Sequence, residues 1–270
     1  MDLKVAKVLP GGNPTIIVET AVAPAERANV ATVLMSNNYL CAEQVGFLVP
    51  PHNPQKVDMR LEMMGGELCI NALRSAAALL YSKNQSKPLI RLESSGFNGA
   101  FECLNEMRDA TLVTDIRLNI PLVIDQNDDS VTVTLDGITH LVRKVEQLPT
   151  DSEAKDQFRS SMQANAQLDS IPACGFMPYV ETEDHITLKP LVYVRDTESI
   201  IFETGCGSGS IAVALAKFNG KTQHISILQP SGELYVVDVN KTESHAVSVR
   251  LSSHVSIIAT GVVSIPSALL

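Results

Sequence analysis

No segment of this 270-residue sequence approaches the ~20 consecutive apolar residues needed to cross a bilayer as a helix. The opening stretch Met1 to Leu9 carries Asp2, Lys4 and Lys7 in an alternating pattern rather than a leader-like apolar core, so a cytoplasmic protein is expected. Basic clusters are also missing. With a formal charge of −9 and no run of Lys or Arg, the chain lacks the surface that would hold nucleic acid or an anionic membrane. Its five cysteines, Cys41, Cys69, Cys103, Cys174 and Cys206, include no Cys-x-x-Cys pair and are odd in number, which fits neither a disulfide framework nor a structural zinc site. They are read as thiols. The histidines, His52, His140, His185, His224, His245 and His254, show no metal-ligand spacing either.

What is present is 45% hydrophobic residues, ample for two ordinary domains, and one pattern that occurs twice. Phe202-Glu203-Thr204-Gly205-Cys206-Gly207-Ser208-Gly209-Ser210 follows a β-branched run and opens into the apolar helix Ile211 to Phe218. Gly65-Gly66-Glu67-Leu68-Cys69-Ile70-Asn71-Ala72 likewise follows a strand-like run, Val57 to Met63, and opens into an apolar helix, Leu73 to Tyr81. The cysteines are 206 − 69 = 137 positions apart, about half the chain. Two similar halves, each presenting one cysteine at a helix N-terminus, account for this spacing. Unpaired N–H groups and the helix dipole at such a place favour negative charge, which predicts depressed thiol pKa values and an anion cradle.

The rest of the chain reads as strands with two helices per half. Lys4 to Leu9 and Thr15 to Glu19 form a hairpin, Pro24 to about Ser36 a helix, and Val45 to Val49 and Val57 to Met63 strands before the Cys69 helix. Further strands run over Leu89 to Glu93, Ala100 to Leu104, Leu112 to Leu118 and Leu122 to Asp125. The second half repeats the order, with a polar helix from about Ser152 to Gln167 and strands over Ile186 to Val194, Ala246 to Arg250 and Ser256 to Ile265. The predicted class is α+β, with two pseudo-symmetric domains, each a mostly antiparallel sheet wrapped around a central helix. The division falls between residues 1–126 and 127–270, with the last strand packing back on the first half.

The glycine loop around Cys206 also looks like the first motif of S-adenosylmethionine-dependent methyltransferases. Only 270 − 209 = 61 residues remain beyond it, the next strand ends Leu228-Gln229-Pro230 without an acidic residue, and the remaining segments read as hairpins. A doubly wound sheet cannot be completed from them.

Two thiols facing one another across a cleft suit proton transfer on opposite faces of one carbon. The α-hydrogen of an amino acid is weakly acidic, so one thiolate must remove it while the carbanion spreads into a carboxylate held by strong donors; the other thiol returns the proton. Such chemistry needs neither pyridoxal phosphate nor metal. The rival reading makes both cysteines buried packing residues of a non-catalytic binding protein. Cys41, Cys103 and Cys174 are assigned to packing, and Arg74 with Glu67 to a local pair at the helix start.

On these motifs the chain resembles the diaminopimelate epimerase superfamily of cofactor-independent racemases, and within it the histidine racemase branch that serves opine-type metallophore synthesis. The resemblance is carried by Gly12-Asn13-Pro14-Thr15-Ile16-Ile17-Val18, Cys41-Ala42-Glu43-Gln44-Val45-Gly46-Phe47, Gly66-Glu67-Leu68-Cys69-Ile70-Asn71-Ala72, Leu188-Lys189-Pro190-Leu191-Val192-Tyr193, Cys206-Gly207-Ser208-Gly209 and Gln229-Pro230-Ser231-Gly232. It implies Cys69 and Cys206 as the catalytic pair, with Asn13, Glu43, Gln44, Ile70, Asn71, Glu203, Gly207 and Ser208 around the substrate. A small amino acid and a second copy of the chain are the expected partners.

Three departures bear on the substrate. Ile70 stands where the family's C-G-N motif has glycine, Gly137-Ile138-Thr139-His140 replaces G-N-P-H, and Glu203-Thr204-Gly205 is all that remains of an E-R-G-A-G-E-T loop. The resemblance therefore implies racemisation without diaminopimelate recognition: histidine is the first expected substrate, and diaminopimelate or another amino acid the alternative.

Overall fold

A computed structural model describes residues 1–126, 130–164, 168, 171–242 and 246–269. The expected domain boundary falls on residues 127–129, outside the described residues, as do His245 and Gln167 at the end of the predicted polar helix. No helix among the described residues is long and apolar enough to cross a membrane.

Seven strands of the first half are β1 (Asp2–Pro10), β2 (Thr15–Val18), β3 (Gln44–Val49), β4 (Met59–Met63), β5 (Leu89–Ser94), β6 (Ala100–Arg108) and β7 (Thr111–Pro121). They pair in sequence, antiparallel except where a helix makes the crossover. Helix α1 (Arg27–Met35) separates the parallel pair β2 and β3, and helix α2 (Ile70–Lys83) separates the parallel pair β4 and β5. The chain's last strand, β17 (Ala246–Ser264), pairs with β7 over Ala246–His254 and with β1 over Val255–Ser264, so the first sheet closes into a ring around α2. Helix α2 touches all eight of these strands. Its residues Ile70 to Leu79 are all buried, which requires side chains small or apolar enough to fit inside a sheet, as Ala72, Ala76, Ala77 and Ala78 are, and internal partners for the polar ones, as Arg74 has.

The second half repeats the scheme. After the short strand β8 (Ile124–Gln126), β9 (Val131–Leu135) pairs antiparallel with β10 (Ile138–Lys144), and β10 runs parallel to β11 (Ala173–Glu181) through helix α3 (Asp151–Ala164). Strand β12 (Ile186–Leu188) is antiparallel to β11 and parallel to β15 (Gln223–Leu228), which continues through β16 (Leu234–Lys241) to β17. Helix α4 (Gly207–Ala216) packs on β9, β10, β11, β16 and β17, and Gly207 to Leu215 are buried. Strands β9 to β12 and β15 to β17 thus correspond to β1 to β7, with the hairpin β13 (Leu191–Val194) and β14 (Ser199–Phe202) inserted before α4. This is the α+β, pseudo-symmetric architecture, with β17 common to both sheets.

Four local features differ from expectation. Ile186 to Val194 is two strands, because Lys189-Pro190 interrupts it and proline has no N–H for a ladder. Conversely, Ala246 to Ser264 is one strand: Ser252-Ser253-His254 reads as a break but is where β17 changes partner. The fully buried Arg74 satisfies the groups there, with Nη2 donating to Ser253 O at 2.7 Å and to Ser253 Oγ at 2.6 Å, and Nε to Thr114 O at 3.0 Å on β7. Arg74 therefore points into the barrel and does not pair with Glu67. Of the cysteines assigned to packing, Cys103 and Cys174 are buried, but Cys41 is exposed in a left-handed turn, at φ 46°.

His140 on β10 is wholly buried beside Gly175, where a Cβ would stand 2.4 Å from its Nδ1, and neither ring nitrogen has a hydrogen-bond partner. Burial pushes its pKa down from 6.5 to about 3. The unfolded chain therefore binds this proton first, and the neutral ring's contribution to stability is present above about pH 6.5 and lost as pH falls toward about 3. Equilibrium unfolding across that window should give a shallower pH slope for His140→Leu than for the unmodified protein; equal slopes would exclude this origin.

Candidate active site

Helices α2 and α4 start the same way. Cys69 and Cys206 are their N-caps, with backbone angles of −127°, 106° and −127°, 108°, and each sulfur accepts the N–H of the third helical residue, Ala72 at 3.3 Å and Gly209 at 3.2 Å. Sulfur takes the place that a Ser, Thr, Asp or Asn oxygen usually fills. The first-turn N–H groups of Ile70, Asn71, Gly207 and Ser208 lie outside the helical ladder, and all four residues line one narrow cavity between the helix ends.

The two ends meet closely. A Cβ on Gly207 would stand 2.8 Å from Ile70 Cγ2 and 2.9 Å from Asn71 Oδ1, so the glycine of one half accommodates the isoleucine of the other. Asn71 crosses between them, its Nδ2 donating to Gly205 O at 2.7 Å while Tyr235 OH donates to its Oδ1 at 3.2 Å. A second tie runs through Glu43, whose oxygens accept the Thr204 N–H at 3.1 and 2.9 Å and Asn13 Nδ2 at 2.5 Å. Asn13 Oδ1 in turn accepts from Gln44 Nε2 at 2.5 Å and Thr15 Oγ1 at 2.9 Å, and Gln44 Oε1 accepts the Cys69 thiol at 2.9 Å. On the other side Gln229 Oε1 accepts Cys206 N at 2.9 Å.

Nine of the ten residues assigned to the site from sequence line this cavity: Glu43, Gln44, Cys69, Ile70, Asn71, Glu203, Cys206, Gly207 and Ser208. Asn13 does not; it is fully buried behind Glu43 and Gln44 and orients both. Ser208 Oγ lies 3.7 Å from Cys206 Sγ. Glu67, assigned to a pair with Arg74, is a cavity residue instead. The spacing held the clue: seven residues apart, and with Glu67 ahead of the helix start, the two could not be neighbours on one face. Of the methionines near Cys69, Met64 lines the cavity and Met63 is core.

The electrostatics reverse one expectation. Cys206 is 2% exposed and Cys69 is half-buried, and both thiols are held well above the ordinary thiol range, by burial first and then by the negative charge of Glu203; the backbone donors pull the other way and lose. Glu203 has its carboxyl pushed up to about 8 by burial, with Glu43 and Glu67 adding to the rise. Burial, with Asp196 adding, lifts Glu67 to about 7, and burial lifts Glu43 as well. Three carboxyls and two thiols thus share a space with no Lys, Arg or His among its described lining residues.

Residues 2–264 match the family described as the histidine racemase CntK N-terminal domain. The chain is 25% identical over 270 residues to a histidine racemase of Staphylococcus aureus, covering 96% of each protein, and 26% identical over 249 residues to one of Fusobacterium nucleatum, covering 86% of this chain and 88% of that one. A hydroxyproline epimerase from Agrobacterium vitis, solved with trans-4-hydroxy-L-proline, shares the fold with a TM-score of 0.66 at 11% identity, over 97% of this chain and 92% of that one.

In the ligand-free protein at neutral pH, an alkylating reagent should modify the exposed Cys41 first and Cys69 and Cys206 slowly. Peptide mapping by mass spectrometry reads the order. Fast, selective modification of Cys69 and Cys206 would mean that the helix ends outweigh burial.

Proposed function

Because this chain belongs to the histidine racemase CntK N-terminal domain family, we propose that it interconverts L- and D-histidine by a cofactor-independent, two-base reaction with Cys69 and Cys206 as the bases. Family membership makes it an isomerase of the racemase type. The observation that carries the substrate assignment is the charge pattern of the cavity. First-turn N–H groups at two helix ends, outside the helical ladder, call for one anionic group, and three carboxyls with no cation among the described lining residues call for positive charge on the rest of the ligand. An α-amino acid with a protonatable side chain meets both demands. Diaminopimelate would bring a second carboxylate into the same acidic enclosure with nothing to pair it, which disfavours the alternative.

The mechanism is set by the placement of the two N-caps. The substrate carboxylate accepts N–H groups from the first turns of α2 and α4, leaving the α-carbon between the sulfurs. The arriving ammonium supplies the opposite charge that the empty site lacks, and this lets one thiol ionise. That thiolate takes the α-proton: an S–H bond forms, the C–H bond breaks, and its electron pair moves into the carboxylate. The other thiol then protonates the opposite face and is left as the thiolate. Aimed N–H donors of this kind lower a barrier by about 2.7–4 kcal/mol each, so a few account for much of the acidity gap. Gln44, bonded to Cys69, and Gln229, bonded to the Cys206 backbone, are positioning residues. A cytoplasmic location fits the five free cysteines.

Cys69→Ser and Cys206→Ser should each lower racemisation of L-histidine by about 10²–10⁴-fold, the usual worth of a positioned acid or base. Loss of optical rotation and α-deuterium incorporation in deuterium oxide, for histidine, diaminopimelate and a panel of L-amino acids, provide the check. Wild-type-like racemisation by either variant would overturn the two-base assignment, and efficient turnover of diaminopimelate with none of histidine would overturn the substrate.

A further inference from the structure

Of the three carboxyls that face the cavity, two are already engaged. Glu43 holds the Thr204 N–H with both oxygens and Asn13 with one, tying the halves together. Glu203 is committed to the thiols, both of which its charge holds up. Glu67 differs. Its carboxylate accepts only backbone N–H groups of its own turn, that of Gly65 at 2.9 Å and that of Glu67 itself, and its nearest charged neighbour outside the cavity is another carboxylate, Asp196.

A carboxyl that is 4% exposed, beside a like charge and without a cation, carries a desolvation cost that two backbone N–H groups offset only in part. The turn around it is shaped to hold it there. A Cβ on Gly65 would stand 2.6 Å from Val194 Cγ1 and 3.0 Å from Glu67 Oε2, so the glycine lets the carboxylate sit close to the apolar wall that Val194 shares with Met64 and Ile138. An acid set in an apolar pocket fits a flat group with an apolar body and an N–H at its edge.

Resting on the racemase reading above, we propose that Glu67 is the residue that selects the substrate side chain, accepting the ring N–H of a protonatable heteroaromatic ring of the imidazole type against the wall formed by Met64, Ile138 and Val194. Glu67 lies two residues before Cys69, so a ring held there fixes the α-carbon relative to the sulfur. The carboxyl, raised to about 7, nearly matches an imidazole's ordinary pKa of about 6.5, so one proton serves the pair whichever partner holds it.

The test compares L-histidine with L-2-fluorohistidine, which has the same shape but a ring that does not protonate near neutral pH. Calorimetry at pH 7 should show the unmodified protein binding histidine about tenfold more tightly, the worth of one charge-assisted hydrogen bond, and Glu67→Gln should bring the two ligands to within about threefold. Steady-state kinetics of the variant should place its loss for histidine in KM. An unmodified protein that binds both ligands equally, or neither, overturns the assignment even if the variant does not fold, and so does a Glu67→Gln protein that keeps the full preference. Deuterium exchange at the α-carbon, followed on the same samples, separates the two readings. Preferential binding without exchange would sink the racemase reading and leave Glu67's role standing; exchange with an unchanged preference in Glu67→Gln would do the reverse.

Discussion

Gly207 has no side chain, and the first turn of α4 can therefore rest against Ile70 and Asn71 at the start of α2. Most of the site depends on that contact. Two helices, each buried inside its own sheet, present their positive ends to one small space, and their capping residues are forced to face it too. Like-oriented dipole ends repel, so the approach needs ties from outside the helices. Asn71 to Gly205, Tyr235 to Asn71 and Glu43 to Thr204 supply them, each linking an early part of the chain to a late one. Strand β17 adds the largest link, since it closes the first sheet while forming part of the second.

In the proposed reaction, the charge balance of the empty cavity decides when a thiol can act as a base. Helix ends alone would favour thiolates, but burial and the neighbouring carboxyls raise both cysteines well above their ordinary range. Positive charge brought into the cavity would favour the thiolates, and the proposed substrate carries it on its ammonium and on its ring. Protonated thiols are also poor nucleophiles, which protects both cysteines from modification.

Much of this is legible in the residues. The cysteine, glycine and small-residue runs at 65–72 and 202–210 mark two strand-to-helix turns, and the 137-residue interval between the cysteines exposes the duplication. The helices after these turns are rich in small and apolar residues, which signals burial before any sheet is drawn. What sequence cannot show depends on partners distant in the chain. Ser252-Ser253-His254 reads as a break because the arginine that satisfies it is 179 residues away. Glu67 reads as a helix-end charge because its exposure is decided by Val194 and Asp196 on the other half. The thiol pKa values run opposite to the sequence expectation for the same reason: a helix N-terminus is local and visible in sequence, whereas desolvation and Glu203's proximity to Cys69 arise only in the folded chain.

The central claim is that one substrate carboxylate is shared by two helix ends with the α-carbon held between two sulfurs. A crystal structure with α-methylhistidine bound tests it most directly, because that ligand has no α-hydrogen to lose and stays intact in the site. The expected result is carboxylate oxygens within hydrogen-bond distance of first-turn N–H groups from both α2 and α4, and the Cys69 and Cys206 sulfurs on opposite faces of the α-carbon. A carboxylate held by one helix only, or both sulfurs on the same face, would contradict it.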